Sequence, residues 1–474
     1  MPPQPIRGIA VADVGYTSTK LALFSPAGEL VTERRVPSNH HEGPPYRWID
    51  PEPTVEFFRQ TIAEFDAILP VDAIVPTAHG AAVALIAEDG SLALPIMDYT
   101  SEPPADIVAA YRQRMPPFAE CLCPLLPMSL THALQVFWQS RAHPRDFART
   151  RTIVPWIQYV GFRLCGRLVT EVTSMSCQTQ LVDPVKRQLS SLVKAEGWQR
   201  LFPSMVPAWE IIGDLKPEFG AKTFRGRGKV LAGAHDSSAS YARYLAAGFG
   251  SFTLLSTGTW SICYDTSTTA DQLDETRDTC INADIFGRQV AVSRFFGGKE
   301  YELVAGDAAA TAPDLAMVSA LIERGCFALP SFSGSSGPMP GSAGKGRIDG
   351  DAPANPVEMA SLATLYCALM VGEQLDALSS RNDIIVDGPF ARNAVLLALI
   401  AQLRPGQKVK ASLLLDGTAA GAACLAMMSD GKLPHIPIET TDIVAADIAG
   451  LDPYRRRWRE LSRMNSGPAP RNTE

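Results

Sequence analysis

Short apolar runs that end in glycine and hydroxyl residues predict two β-hairpins in this chain. Residues 9–11 and 21–24 are apolar and predict two buried strands. The stretch 13–20 between them reads Asp-Val-Gly-Tyr-Thr-Ser-Thr-Lys, which combines a carboxylate, a glycine, hydroxyl groups and a lysine. A similar arrangement recurs at 252–264, where Ser-Thr-Gly-Thr-Trp-Ser at 256–261 separates two apolar runs. The repetition indicates a protein built from two related halves.

Outside the hairpins, the spacing of apolar positions predicts helices and strands in alternation, which favours an α/β fold. The pattern predicts helices at 55–67, 185–196 and 419–428, strands at 229–232 and 384–386, and a loop rich in Ser, Gly and Pro at 331–350. A Gly-containing turn precedes residue 229, and we place the domain boundary there. The predicted organisation is an N-terminal domain 1–228, a C-terminal domain 229–465 and a flexible tail 466–474.

Composition narrows the functional class. The chain has 474 residues, a formal charge of −7 and a pI near 5.6, which gives no electrostatic basis for nucleic-acid binding. Nine cysteines lie scattered without metal or redox spacing, which is typical of reduced thiols in a cytoplasmic protein. No apolar run approaches 18 residues, so no membrane span is expected.

The two hairpin tips are the candidate phosphate-binding elements. Glycine lets a backbone approach a ligand closely, and exposed N–H and hydroxyl groups suit a polyphosphate. A carboxylate such as Asp13 can hold hydrated Mg²⁺, and Lys20 offers a point charge to phosphate. The alternative is an ordinary polar turn, because Asp, Gly, Ser and Thr are common turn residues.

Three further polar residues are candidates for chemistry. Asp236 lies where a predicted strand meets a helix, the usual position of a ligand-facing residue in an α/β domain, and is the candidate general base. Its alternative role is that of a helix N-cap. His79 and Asp98 follow short apolar segments and are candidate ligand contacts, with a structural hydrogen bond as the alternative for each.

The order of these motifs resembles that of the FGGY carbohydrate kinases, which belong to the ATPase superfamily of actin and hexokinase. The stretch 13–20 is similar to the first phosphate motif of that family, with Tyr16 where a small hydroxyl residue is usual. Residues 233–236 resemble the segment that carries the catalytic aspartate, and 256–261 the second phosphate loop. Because it contains Trp260, that loop resembles the one in the rhamnulokinase/fuculokinase-like branch of the family.

The resemblance extends to the predicted adenosine-binding segments. Residues 387–393 lie where the adenosine-binding glycine cluster is expected, although Pro389 and Phe390 replace glycines there. Residues 416–421 are similar to the small-residue segment that follows that cluster.

The resemblance implies two actin-like (RNase H-like) ATPase domains flanking a catalytic cleft, and ATP-dependent phosphorylation of a sugar hydroxyl. Asp236 would be the catalytic base and would contact the sugar together with His79 and Asp98. Asp13 would hold Mg²⁺ through water. The resemblance implies ATP contacts from Asp13, Gly15, Thr17, Lys20, Thr257, Gly258, Thr259, Gly388, Asn393 and Gly417.

The expected acceptor is a ketose, specifically a deoxyketose such as L-rhamnulose or L-fuculose. A pentulose or polyol kinase is the alternative within the same class. An actin-like ATPase that acts as a sensor or interaction module is the alternative of another class, in which Asp236 would be only a cap. The expected partners are ATP and a small sugar, without nucleic acid or membrane. The oligomeric state stays open, with a homodimer as one alternative.

Overall fold

The computed structural model describes residues 5–220, 222–414 and 416–466, and the chain divides into two compact units. The first unit comprises Met1–Phe249, Ile281–Gln289 and Asp416–Pro437, and the second comprises Gly250–Cys280, Val290–Leu415 and Ile438–Glu474. The sequence placed the boundary at residue 228, whereas the first unit continues to residue 249. Residues 467–474 of the predicted tail lie outside the described residues.

The first unit is built on a mixed seven-stranded sheet. Its strands follow the order Ile211–Asp214, Lys229–Leu231, Val71–Ala78, Gly8–Val14, Ser18–Phe24 and Leu30–Pro37, and Ala234–His235 also pairs with Val71–Ala78. Its smaller strands are His40–His41, Trp48–Ile49, Val83–Ala87, Ile96–Met97, Thr150–Pro155, Thr170–Glu171, Val182–Asp183, Gln188–Leu189 and Met205–Val206. Its α-helices are Glu52–Ile68, Ala105–Arg112, Phe118–Cys121, His132–Ala142, Pro144–Phe147, Trp156–Cys165, Val172–Ser176, Ser191–Ala195, Asp236–Ala246 and Gly417–Ala426, with 3₁₀ turns at Gln199–Leu201 and Pro217–Phe219.

Both faces of this sheet are covered by helices, which explains why its strands read as nearly continuous apolar runs. Alternate residues of the strand Gly8–Val14 belong to different core clusters, because successive side chains of a strand point to opposite faces. One face packs on Glu52–Ile68 and Trp156–Cys165, and the other on Asp236–Ala246 and Gly417–Ala426. The last two helices therefore belong to the first unit, although the sequence placed both in the C-terminal domain.

The second unit is built on another seven-stranded sheet. Its strands follow the order Thr279–Ala283, Gln289–Phe295, Ser261–Asp265, Thr253–Thr257, Ile384–Asp387, Val409–Ser412 and Thr440–Asp442. The chain passes from the second unit to the first within the strand Thr279–Ala283. A small sheet pairs Phe327–Leu329 with Arg347–Asp349. The α-helices are Gly297–Ala305, Leu315–Arg324, Pro356–Ala377, Ala394–Leu403 and Leu451–Ser466, and the 3₁₀ turns are Ala270–Gln272, Glu275–Arg277, Gly306–Ala308 and Pro389–Arg392.

The two units repeat one local arrangement, as the hairpin pattern predicted. In the first unit, the hairpin of Gly8–Val14 and Ser18–Phe24 lies beside the parallel strand Val71–Ala78. In the second, the hairpin of Thr253–Thr257 and Ser261–Asp265 lies beside the parallel strand Ile384–Asp387.

The predicted helix 185–196 is wrong over its first half. The chain instead forms a short hairpin, Val182–Asp183 with Gln188–Leu189, before the helix Ser191–Ala195. The Asp183 carboxylate accepts hydrogen bonds from the Val185 and Lys186 N–H groups at 3.0 and 2.9 Å. This local turn competes with a helix for the same N–H groups, which apolar spacing does not reveal.

The helices Asp236–Ala246 and Gly417–Ala426 pack closely because small residues line their contact. A Cβ atom at Gly421 would lie 1.8 Å from the carbonyl oxygen of Ala239. The contact therefore requires glycine at this position, and both helices begin with residues of the candidate site.

We expect Gly421→Ala to destabilise the first unit by about 1–3 kcal/mol, because an added methyl group must push the two helices apart. Calorimetric melting of the variant and the wild type measures the effect. Gly406→Ala is the matched control, since a Cβ there would meet no atom within 4 Å. Equal melting temperatures for the two variants would contradict the close contact.

Candidate active site

Three parallel strands of the first unit end at the same sheet edge and bring the candidate residues together. In the register of the sheet, Asp13 lies opposite Thr77, Ala234 lies opposite Thr77 from the other side, and His235 lies opposite Ala78. Parallel strands run in the same direction, so their carboxyl ends lie at one edge. Asp13 is the next-to-last residue of its strand, and His79 and Asp236 directly follow theirs. Ligands of open α/β sheets bind at this edge.

Lys20 is buried between two carboxylates at the first hairpin. It lies opposite Asp13 in the antiparallel register, and its Nζ is 3.1 Å from Asp13 Oδ2. Its Nζ also donates to Asp416 Oδ2. Burial lowers the pKa of Lys20, but the two carboxylates outweigh it and the net shift is upward. Lys20 therefore stays positively charged, and its charge partly neutralises the carboxylates of Asp13 and Asp416.

Asp13 has an unusual charge environment. Burial raises its pKa to about 6, and the negative charges of Asp416 and Asp236 add to the shift, while Lys20 opposes it. Its Oδ1 accepts no hydrogen bond from the described residues, and neither does the buried hydroxyl of Thr77 beside it. Hard oxygen donors of this kind suit a hydrated divalent cation. No group of three or more His, Cys, Asp or Glu side chains in the described ranges is arranged to hold a metal ion by itself.

Asp236 is the first residue of its helix, and the cap is the residue before it. The His235 side chain accepts a hydrogen bond from the Ser237 N–H at 3.2 Å. Asp236 Oδ1 accepts from the same N–H at 2.5 Å, but Asp236 Oδ2 receives no hydrogen bond from the described residues. Its side chain is 29% exposed. One carboxylate oxygen of Asp236 is thus oriented by the helix and the other is available to a ligand.

A buried network fixes the backbone before Asp236. The His235 N–H donates to Thr173 Oγ1 at 3.0 Å, and that hydroxyl donates to Glu171 Oε2 at 2.7 Å. The His235 ring also lies 3.4 Å from Cys177 Sγ, and a Cβ at Gly80 would meet His235 Nε2 at 2.4 Å. Burial lowers the pKa of His235, so the ring is neutral and suits a cap rather than a proton acceptor for substrate.

His79 has one ring nitrogen that receives no hydrogen bond from the described residues. Its Nδ1 donates to the Gly80 carbonyl at 2.8 Å, and burial lowers the pKa of His79, so Nε2 is an unprotonated acceptor. The rings of Tyr16 and Tyr99 each lie 5.8 Å from the His79 ring in an edge-on arrangement.

Asp98 is fully buried and is bound by protein groups on both oxygens. Oδ2 lies 2.7 Å from His40 Nδ1 and 3.0 Å from Arg47 Nε, and Oδ1 accepts from the Thr100 N–H and hydroxyl, each at 2.8 Å. The Tyr16 hydroxyl adds longer contacts at 3.3 and 3.4 Å. Asp98 thus organises the groups around it, and the partly exposed Tyr16 and Tyr99 lie next to His79.

Hydrogen bonds of Thr257 connect the second hairpin to the backbone of the neighbouring strand and of the turn that follows that strand. The Thr257 hydroxyl donates to the Asp387 carbonyl and accepts from the Phe390 N–H at 3.0 Å. A Cβ at Gly388 would lie 1.9 Å from the Thr257 carbonyl oxygen, and Gly388 has a φ of +78°, so only glycine fits. Gly258 is partly exposed and Thr259 is exposed at the tip. Asn393 caps the helix Ala394–Leu403 through the Leu396 N–H at 3.0 Å.

Two family models match the chain. A family model described as the FGGY family of carbohydrate kinases, N-terminal domain, matches residues 9–242, and one described as carbohydrate kinase FGGY, C-terminal domain, matches residues 249–434. The chain belongs to the FGGY family of carbohydrate kinases. This FGGY protein is a sugar kinase and therefore a phosphotransferase. No curated protein sequence gave a match.

Solved structures confirm the predicted class of two actin-like ATPase domains for this FGGY kinase. A carbohydrate kinase from Novosphingobium aromaticivorans is 32% identical, with a TM-score of 0.83 over 96% of this chain and 100% of that one. The ligand-bound xylulose kinase from Lactobacillus acidophilus is 16% identical, with a TM-score of 0.78 over 96% and 97% of the two chains. A Plasmodium falciparum glycerol kinase with ADP is 14% identical, with a TM-score of 0.78 over the same shares. The last two similarities establish the fold alone.

The structure of this FGGY kinase divides the predicted site residues between its units. The first unit holds Asp13, Gly15, Thr17, Lys20, His79, Asp98, Asp236 and Gly417, and the second holds Thr257, Gly258, Thr259, Gly388 and Asn393. Within the first unit, the sheet edge brings Asp13, Lys20, His79 and Asp236 together. Gly417, predicted as a nucleoside contact, is the first residue of the helix that Asp416 caps.

Sequence reasoning missed Asp416 and His40. In the sequence, Asp416 is only part of a small-residue segment, and its ion pair with Lys20 joins residues 396 positions apart. His40 lies in a polar segment with no periodic signal, and only the fold places it against Asp98. An Asp directly before Gly-Thr and an Ala-rich helix is an N-cap pattern that would have drawn attention to Asp416.

We expect Asp98→Asn to destabilise the protein by about 3 kcal/mol or more, since it leaves the charges of His40 and Arg47 without their buried partner. Although burial alone would raise it, hydrogen bonds from His40 and Thr100 hold the pKa of Asp98 well below its usual range. The contribution of the carboxylate to the free energy of unfolding is therefore complete above its unfolded pKa of about 3.9. It is lost as the pH falls through the lower pKa of the folded state.

Melting temperatures of variant and wild type between pH 3 and 7 measure this effect. The exposed Asp106→Asn, in the first turn of a helix, serves as the control and should cost less than about 1 kcal/mol. A pH-independent difference between Asp98→Asn and wild type would contradict a charge-based role.

Proposed function

We propose that this FGGY kinase transfers the γ-phosphoryl group of ATP to the primary hydroxyl of a ketose, and that Asp236 is the general base. The observation that carries the proposal is the oriented Asp236 carboxylate, whose Oδ2 receives no hydrogen bond from the described residues. It lies at the sheet edge that also holds Asp13 and His79. A carboxylate fixed by one oxygen and open on the other is suited to accept a proton from a bound hydroxyl.

In the proposed reaction, the oxygen of the sugar hydroxyl attacks the γ-phosphorus, and ADP leaves on the opposite side. Asp236 Oδ2 accepts the proton of that hydroxyl. Phosphoryl transfer depends mainly on positioning and on neutralising the phosphate oxygens. Asp13 would hold Mg²⁺ through water, and the metal would supply positive charge to the phosphates. The hairpin-tip groups proposed for the phosphates are Gly15, Thr17, Lys20, Thr257, Gly258 and Thr259.

The proposed nucleoside contacts are Gly388, Asn393 and Gly417. Gly388 and Asn393 already have structural roles in the turn and the helix cap. We propose that the nucleoside meets mainly the backbone of this turn, since Pro389 and Phe390 stand where glycines were expected.

The proposed acceptor is a deoxyketose of the L-rhamnulose or L-fuculose type. Tyr16 and Tyr99 have their ring centroids 4.6 Å apart and flank His79, so apolar ring surface lies beside a polar acceptor atom. A deoxy sugar combines hydroxyl groups with a methyl group, and an aromatic surface favours such an apolar part. We propose that His79 Nε2 accepts from a sugar hydroxyl, and that Asp98 acts by holding Tyr16 and Thr100.

A coupled ADP-release assay tests the function. The panel contains L-rhamnulose, L-fuculose, xylulose, gluconate, glycerol and a reaction without sugar. The highest kcat/KM for a deoxyketose supports the proposal, and a preference for xylulose or glycerol supports the pentulose or polyol alternative. ADP release that no acceptor of the panel stimulates would overturn the proposed phosphorylation of a ketose.

We expect Asp236→Asn to lower kcat by about 10²- to 10⁴-fold with little change in nucleotide affinity, because the amide cannot accept the proton. Initial rates and nucleotide titrations on one preparation measure both quantities. Asp214→Asn, at a 72% exposed side chain in the same unit, is the control and should leave kcat unchanged. Near-normal kcat in a folded Asp236→Asn would assign the base role elsewhere.

We expect the Mg²⁺ requirement to rise as the pH falls through about 6, because Asp13, whose pKa is raised to about 6, then loses its charge. Rates measured over a Mg²⁺ series at pH 5.5 and 7.5 give the apparent affinity. In Asp13→Asn the requirement should be high at both values. The titration of the nucleotide itself affects both proteins equally, so superimposable pH dependences would show that Asp13 does not orient the metal.

A further inference from the structure

His40 forms a hydrogen-bonded bridge between two segments of the candidate site. Its Nδ1 lies 2.7 Å from Asp98 Oδ2, and its Nε2 lies 2.8 Å from the Tyr16 carbonyl oxygen. A carboxylate and a carbonyl oxygen are both acceptors, so both ring nitrogens must donate. Only the imidazolium form satisfies both contacts.

The bridge joins the first hairpin to the segment that contains Asp98. Tyr16 lies in the tip between the strands Gly8–Val14 and Ser18–Phe24, and Asp98 directly follows the short strand Ile96–Met97. His40–His41 belongs to the same three-stranded sheet as Ile96–Met97. The His40 and Tyr16 rings lie 4.7 Å apart, so the histidine also supports the ring that faces His79.

The charges around His40 favour its protonated form. The hydrogen bond to Asp98 raises the pKa of His40, and the bond to the Tyr16 carbonyl raises it further, while burial and Arg47 oppose the shift. Arg47 itself binds Asp98 and Glu42, at 3.0 Å each. Among the described residues, Tyr16, Tyr99 and His79 also face this region. Burial raises the pKa of both tyrosines and lowers the pKa of His79, which leaves all three neutral.

We propose that His40 is a positioning residue of the kinase, which holds the hairpin tip against the Asp98 segment and thereby sets affinity for the acceptor sugar. The inference rests on the proposed function, because it assumes that His79, Tyr16 and Tyr99 contact the acceptor. His40 itself does not touch the reacting atoms. It acts through the backbone of Tyr16 and the carboxylate of Asp98.

The direction of the pH effect follows from the raised pKa. The bridge is complete below the unfolded histidine pKa of about 6.5 and is lost as the pH rises through the higher folded value. A neutral His40 keeps one bond and turns a lone pair toward the second acceptor. The hairpin tip is then released, and the KM for the acceptor rises.

Histidine NMR of the wild type tests the bridge without any substrate. The chain has seven histidines, and the His40 resonance is the one absent from His40→Gln. We expect it to titrate above 6.5 in the wild type and at a lower value in folded Asp98→Asn. A wild-type His40 that titrates at or below 6.5 overturns the proposal.

Kinetics of His40→Gln test the positioning role. We expect kcat/KM for the best acceptor to fall by about 10- to 100-fold, the scale of a small misplacement of a binding group, mainly through KM. The decrease of wild-type kcat/KM at alkaline pH should be absent in the variant. His41→Gln is the matched control, since His41 is the next residue, is half exposed and stacks on Trp48 at 4.1 Å.

The outcomes separate the two proposals. If no sugar is phosphorylated by the wild type but His40 titrates above 6.5, the bridge stands and the proposed function fails. If the wild type phosphorylates sugars and His40→Gln keeps the KM and pH profile of wild type, the positioning role fails. A lower melting temperature with an unchanged pH profile also overturns it, since a merely structural residue would act that way.

Discussion

The candidate site depends on the parallel pairing of the strand Val71–Ala78 with two of its neighbours, Gly8–Val14 and Ala234–His235. Residues from three distant parts of the sequence come together because these strands all run the same way and end at one edge. Their N–H and C=O groups are used within the sheet, so the side chains at the edge are the groups left for a ligand. Asp13, His79 and Asp236 owe their shared location to this pairing rather than to direct contacts among themselves.

Close packing of small residues allows the edge to carry so much charge. Gly421 lets the helix that begins after Asp416 approach the helix that begins with Asp236. The approach brings the carboxylate of Asp416 to Lys20, so the acidic groups are partly neutralised within the protein. Without a buried cation, three carboxylates at one edge would repel each other strongly in a low-dielectric environment. Gly421 is therefore a condition for the electrostatics of the site.

Buried charged and hydrogen-bonding groups in the first unit serve mainly to position other groups. Lys20 holds Asp13 and Asp416, His40 and Arg47 hold Asp98, and Glu171 holds the hydroxyl that receives the His235 N–H. Each of these groups is buried or partly buried and satisfied by specific partners, which limits its motion. Asp236 Oδ2 and His79 Nε2 differ, since the described residues leave them open to a ligand. A site whose supporting groups are held in place, and whose two acceptor atoms are available to a ligand, is suited to bind and deprotonate a hydroxyl group.

The sequence by itself determined the two hairpins with glycine-rich tips, the α/β class and the family, because these features are local in the chain. Strand 9–11, the turn at 13–20 and the helix start at Asp236 are each set by neighbouring residues, and motif order was enough to recognise an FGGY kinase. The position of Asp98, buried beneath Tyr16, was decided only by the tertiary structure, as were the bridge through His40 and the ion pair of Lys20 with Asp416. These contacts join residues far apart in sequence, and neither periodicity nor turn chemistry specifies long-range partners. The return of residues 416–437 to the first unit has the same origin, since it depends on a helix contact that only a glycine at position 421 permits.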